Sequence, residues 1–255
     1  MGLSHDQLKT FEDKGFIVVK GFYDKAVMAE VSALVDGLMG KEPAVGEEAK
    51  YFEQSPLSGE NLLVRIENVL GDHNAALTDL LLTPKTMACL SQLLGEPAVL
   101  FKDKVNFKLP GCRADKLHQD QAAGWNAYCD SFITLGIAVD ENRMDNAALS
   151  FMNSGNYARN LMTEEWKPLS EDDPPFTPED EYVLIIADPG DVIFFDAYVP
   201  HGSPPNTGKR RRRNFFLTFN KKSDGDMKAQ YYQDKWKNYA PNKADDARTN
   251  DTFRV

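Results

Sequence analysis

His118-Gln119-Asp120 lies near the middle of the chain, Pro200-His201-Gly202-Ser203 lies far downstream, and Arg212 follows His201 by eleven residues. Two imidazoles and one carboxylate are a minimal ligand set for a ferrous ion that keeps three coordination positions open. Two of those positions can chelate a 2-oxo acid and the third can take dioxygen. A guanidinium pairs bidentately with a carboxylate and stays charged when buried, so Arg212 suits the distal carboxylate of 2-oxoglutarate. The same three ligands would serve zinc, in a non-redox isomerase or hydrolase or in a cupin-like ligand-binding barrel. Arg212 discriminates, because those alternatives have no need of a guanidinium beside the metal. Of the other histidines, His5 falls in a helical pattern and His73 in a turn, where surface or capping roles suffice.

For His118 and Asp120 to act on one ion they must share a face. Residues two apart on a strand do so, with Gln119 turned away. His201 follows the apolar run Asp191–Val199 and is held by Pro200, which places the third ligand at the end of another strand. Strand patterns cover Gly15–Lys20, Ala98–Leu109, Ser131–Asp140, Ala147–Met152, Tyr182–Ala187, Asp191–Tyr198 and Asn214–Asn220. Turn signals such as Leu109-Pro110-Gly111 and Asp188-Pro189-Gly190-Asp191 separate them. Helical spacing marks Ser4–Lys14 with Ser4 as N-cap, about Lys25–Met39, Ala75–Leu82, Pro84–Leu94 and Met227–Tyr239, while residues 41–60 read as polar and irregular. Many short strands without alternating helices predict a mainly β fold with flanking helices, built as an antiparallel sandwich or barrel. The expected organisation is a single domain. Residues 1–96 give helical N-terminal support, 97–222 the barrel core, and 223–255 a C-terminal helix and polar tail. The Pro-rich, acidic insertion 158–180 reads either as a lid over the barrel mouth or as a plain surface excursion.

The 255 residues carry a net charge of −10, which disfavours a nucleic-acid partner, since phosphate neutralisation needs a basic surface. No run approaches the roughly 20 apolar residues of a membrane span, and the first residues lack the pattern of a secretory signal. Cys89, Cys112 and Cys129 are odd in number and widely spaced, which fits reduced thiols in a cytoplasmic protein better than a disulfide framework or zinc site. The expected partner is a small-molecule substrate, with oligomeric state left open. Trp125 and Tyr128, soon after the HQD triplet, are candidates to line the mouth of the site and pack on a cation or an apolar chain.

The HQD triplet, Asp188-Pro189-Gly190-Asp191-Val192 leading to His201-Gly202-Ser203-x-Pro205-Asn206, and Arg212 together resemble the phytanoyl-CoA dioxygenase-like family. The opening Phe11-x-x-x-Gly15-Phe16-Ile17-Val18-Val19 is similar as well, so the resemblance spans nearly the whole chain. It implies a double-stranded β-helix (a jelly-roll, cupin-like barrel) and an oxygenase using Fe(II), 2-oxoglutarate and O2. By the same resemblance His118, Asp120 and His201 bind iron, Arg212 and Ser203 hold 2-oxoglutarate with Asn106 touching it, and Arg65 lines the substrate pocket. Halogenating relatives replace the carboxylate at position 120 with a small residue, so Asp120 implies hydroxylation or desaturation. Asn146–Asn156 departs from the NGxLxxxPGSH-like stretch of relatives, which leaves the substrate open. Members of the family act on amino acids, alkylammonium compounds and aminophosphonates, and a small free metabolite of that kind is expected.

Overall fold

A computed structural model describes residues 2–43, 46–153, 159–161 and 182–241. The expected lid at 158–180 therefore lies outside the described residues except for 159–161, and so does the tail beyond 241. The first helix, α1 (His5–Lys14), is set by a capping box in which Ser4 and Gln7 satisfy each other's backbone N–H, and Gly15 ends it in the left-handed region at φ 75°. The chain continues through β1 (Phe16–Val19), α2 (Lys25–Gly40), β2 (Ala49–Gln54), β3 (Asn61–Glu67), α3 (Ala75–Leu81) and α4 (Pro84–Leu94). There follow β4 (Ala98–Lys108), β5 (Asp115–His118), β6 (Ile133–Ala138), β7 (Ser150–Met152), β8 (Tyr182–Leu184), β9 (Val192–Asp196), β10 (His201–Ser203), β11 (Arg212–Lys221) and α5 (Lys228–Asn238). Among the described residues no helix is long and apolar enough to cross a membrane.

The strands form two antiparallel sheets, one of seven strands ordered β1-β9-β6-β11-β4-β3-β2 and one of four ordered β5-β10-β7-β8. The stretch read as irregular contains β2, whose hairpin with β3 forms the edge of the large sheet, so the first 96 residues contribute strands as well as helical support. Its polar sequence Ala49-Lys50-Tyr51-Phe52-Glu53-Gln54 buries only Ala49 and Tyr51, a pattern that needs tertiary pairing to become a strand.

Alternation along the strands gives the large sheet two unlike faces. One carries Val105, Phe107, Leu135, Ile137, Phe215 and Leu217, which share a core with Val31 and Val35 of α2, Leu81 of α3 and Leu90 of α4. The other face meets the small sheet, where Phe16, Ile193, Phe195 and Phe216 pack with Leu149 and Phe151. At the Asp188–Asp191 turn Gly190 has φ 93°, and a Cβ there would lie 2.3 Å from the Tyr23 carbonyl oxygen.

Arg213, on the helix-facing side of β11, ties α2 to the sheet. Its guanidinium donates to both Asp140 oxygens at 2.7 and 2.8 Å, to Asp36 Oδ1 at 2.9 Å and to Ser32 Oγ at 2.6 Å, and its side chain is 1% exposed. Removing the guanidinium forfeits these hydrogen bonds, while Asp140 and Asp36, with side chains 20% and 45% exposed, can be rehydrated. Arg213→Met is therefore expected to lower stability by about 1–2 kcal/mol, read as a shifted urea midpoint with unchanged slope.

Candidate active site

Strand β10 runs between β5 and β7 in the small sheet, and its register places His201 opposite His118 on one side and Phe151 on the other. A Cβ on Gly202 would come within 2.8 Å of the Asp115 carbonyl oxygen, so the approach of β10 to β5 depends on glycine at this position. His118 is the last residue of β5 and Asp120 begins a 3-10 turn. The intervening Gln119 is still extended (φ −112°, ψ 128°), which returns the carboxylate to the side of the imidazole. Asp120 Oδ1 lies 3.5 Å from His118 Nε2 and 3.8 Å from His201 Nε2, and one donor atom from each of the three residues falls within 4.8 Å of the others.

Both rings turn Nδ1 to a backbone carbonyl two residues back, Lys116 O at 2.6 Å and Val199 O at 3.0 Å, so that Nε2 faces the shared space. A carbonyl acceptor fixes the tautomer and orients a metal-binding imidazole. Burial, with the His118 ring next to it, brings the His201 pKa down to about 4 and keeps its imidazole neutral. Burial opposes ionisation of Asp120, but His201, His118 and Lys104 hold its carboxyl well below the usual carboxylate range. Two imidazole nitrogens and a carboxylate oxygen, aimed at one point, fit a divalent first-row metal ion with positions to spare.

Arg212 opens β11 directly opposite Lys108 of β4 and points into the cavity that holds the triad. It is 2% exposed. Its Nη2 is 3.5 Å from Ser203 Oγ, and Asn214, in the amide orientation that satisfies its partners, accepts from Nη1 at 3.1 Å. Burial pulls the guanidinium pKa only to about 10, so it stays charged at neutral pH. Ser203 Oγ donates to Asp115 Oδ2 at 2.9 Å, and Lys108 Nζ meets the same oxygen at 2.8 Å. The basic run thus divides by strand alternation. Arg212 faces the metal site, Arg213 faces α2, and the half-exposed Arg210 and Arg211 pair with Glu141, Asp145 and Asp36.

Arg65 and Asn106 stand opposite one another on β3 and β4 and both line the cavity. Trp125 lines it too, but with its ring 5.2 Å from Lys102 Nζ, so an amine of the protein itself already sits near that ring. Tyr128 is not among the lining residues. Its ring packs on Phe101 and Tyr231 and its hydroxyl donates to Asp234 at 2.8 Å, which gives it a role in seating α5 rather than the pocket role expected of it.

What sequence reading missed is the charge of the walls. Among the described residues, Arg65, Lys102, Lys104, Arg113 and Arg212 line the cavity with Asp115 and Asp120 as its acids, and burial lowers the pKa of Lys102 and Lys104. The signal was present in β4, where Lys102, Lys104, Asn106 and Lys108 alternate with Asp103, Val105 and Phe107. Period-two alternation puts those lysines and Asn106 on one face, the inner one.

The model of the family described as phytanoyl-CoA dioxygenase matches residues 11–214. The chain belongs to this family. Among curated relatives, the 2-aminoethylphosphonate dioxygenase of uncultured bacterium HF130_AEPn_1 is 32% identical over 251 residues, covering 93% of this chain and 89% of the relative. The methylphosphonate hydroxylase of Gimesia maris is 34% identical over 239 residues, covering 93% and 88%. Among solved structures, EctD from S. alaskensis with 2-oxoglutarate and 5-hydroxyectoine superposes with a TM-score of 0.73 at 20% identity, covering 87% of this chain and 77% of that one. This phytanoyl-CoA dioxygenase family member has the double-stranded β-helix fold of that structure, and it is an iron- and 2-oxoglutarate-dependent dioxygenase.

Two variants separate the ends of the site. Asp120→Ala is expected to weaken Fe(II) binding by on the order of a hundredfold, measured by metal content after dialysis, with the fold retained by circular dichroism. Arg212→Met should keep iron but weaken 2-oxoglutarate by roughly tenfold to a hundredfold, read from the visible charge-transfer band of the anaerobic chelate.

Proposed function

We propose that this dioxygenase hydroxylates a small phosphonate or closely related oxyanion, with Fe(II) held by His118, Asp120 and His201 and 2-oxoglutarate held by Arg212 and Ser203. When bound, iron and 2-oxoglutarate supply the oxidising power that attacks an unactivated C–H bond, with succinate and carbon dioxide as co-products.

The residues of the chain supply position and environment. Arg212 offers a charged fork whose orientation Ser203 and Asn214 restrain, and such a fork fixes a carboxylate in angle as well as distance. Asp115 is held well below the usual carboxylate range. Its burial opposes this, and Lys108, Arg113 and Arg212 outweigh that burial, so the residue anchors Ser203 as an anion. Leu149, Phe216 and the edge of Trp125 supply apolar wall, which excludes bulk water and strengthens every charge interaction inside.

The surplus of positive charge around the triad is the observation that carries the substrate class. A metal ion adds more positive charge, and a dicarboxylate offsets only part of the total. A cavity so charged repels an alkylammonium ion and favours an anion of high charge density. The names of the two phosphonate relatives point the same way.

Succinate release under oxygen tests this reading. Methylphosphonate and 2-aminoethylphosphonate are expected to give succinate in step with a product one oxygen heavier, while betaine-type quaternary amines and neutral amino acids give only the slow uncoupled background. Substrate-dependent turnover confined to the quaternary amines or the neutral amino acids would overturn the assignment.

A further inference from the structure

The inner face of the large sheet holds two cations, Lys104 and Arg65, with donor capacity that no hydrogen bond among the described residues uses. Lys104 stands opposite Glu67 and Phe216, and Arg65 stands opposite Asn106, which makes Lys104 and Arg65 diagonal neighbours on one face. Glu67 is already committed. Arg65 Nε lies 2.8 Å from its Oε1, and Lys235 Nζ lies 2.8 Å from both carboxylate oxygens. Lys104 has no ion pair or hydrogen bond among the described residues and sits 5.5 Å from the Phe216 ring. Arg65 is fixed by Glu67 and by stacking 4.4 Å over Tyr51, yet its buried Nη2 has no partner.

The remaining cations have other work. Lys108 and Arg113 face Asp115, Arg113 also holds Glu53, and Arg212 meets Ser203. Two desolvated like charges standing side by side cost stability unless an anion comes between them. Burial lowers the Lys104 pKa and the repulsion of Arg65 adds to that, against the opposing pull of Asp120, Glu67 and Asp115.

We propose that Lys104 Nζ and Arg65 Nη2 form a clamp for the oxyanion of the substrate, distinct from the Arg212 end of the cavity. This assignment rests on the oxyanion reading above and names its subsite. A tetrahedral dianion presents oxygens in several directions and can meet both cations at once, while a single carboxylate with one charge meets them less completely. The clamp thereby selects phosphonate over carboxylate.

The test is equilibrium binding, independent of turnover. Calorimetry with the Fe(II)- and 2-oxoglutarate-loaded protein under anaerobic conditions uses methylphosphonate and inorganic phosphate as probes, on wild type, Lys104→Met, Lys104→Arg and Arg65→Gln. Lys104→Met and Arg65→Gln are expected to weaken methylphosphonate by on the order of tenfold or more, as for loss of a charge-assisted hydrogen bond. Lys104→Arg should restore most of the affinity, and 2-oxoglutarate affinity should stay unchanged in Lys104→Met. Because a desolvated charge has been removed, ligand-free Lys104→Met should melt at or above the wild-type temperature. If wild type binds methylphosphonate and both neutral variants bind it equally well, the clamp is refuted while the substrate class survives. If wild type binds neither probe, the oxyanion reading itself fails. Loss of thermal stability and of 2-oxoglutarate binding together in Lys104→Met, unrescued by Lys104→Arg, would assign Lys104 to packing and overturn the clamp.

Discussion

Backbone pairing between β5 and β10 sets His201 opposite His118, and the metal site inherits its geometry from that pairing. Each imidazole is held by a sheet bond beneath it and a carbonyl at its Nδ1. Asp120 arrives one extended residue later, and Phe151 stacks on the His201 ring at 5.2 Å with 14° between the planes. Rigid elements carry such sites better than loops do, because the error in each donor position is limited by the ladder.

Around that centre the large sheet separates two kinds of energy. Its outer face shares an apolar core with α2, α3 and α4, and that burial is the main stabilising contribution the fold has to offer. Its inner face concentrates charged side chains around the cavity. Part of that charge is neutralised internally by the Arg65–Glu67–Lys235 group, which also brings α5 against β3. Burial draws Lys235 down to about 7, so this group is poised electrically as well as sterically. The rest is left for ligands, an instance of stability yielding to function at an active site.

The chemistry of the site was more legible in the sequence than its surroundings. His118, Asp120 and His201 could be singled out because few residue types bind iron and their spacing fitted strand faces. Arg212 could be singled out by its distance from His201 and by the family resemblance, and strand alternation separates it from Arg213 in the structure. The hairpin of β2 and β3 was not legible, because a polar edge strand acquires its conformation from its neighbour. Tyr128 was misjudged because nearness in sequence to the HQD triplet says nothing of the turn at Trp125–Ala127 that intervenes. Lys102 and Lys104 went unnoticed because charged residues on a strand ordinarily face water. Only the closing of a second sheet over them makes that face an interior.

The four consecutive arginines from 210 to 213 give the entrance of β11 an unusual tolerance. Were the strand to slide by one position, Arg211 would enter the cavity and Arg212 would meet α2, so both guanidinium sites would still be filled. Fidelity must then come from further along, where Phe215, Leu217 and Phe219 belong to the helix-side core while Phe216 belongs to the layer between the sheets. A length change in the segment leading into the strand would thus be corrected by oily residues, most of them on the far side of the sheet from the cavity.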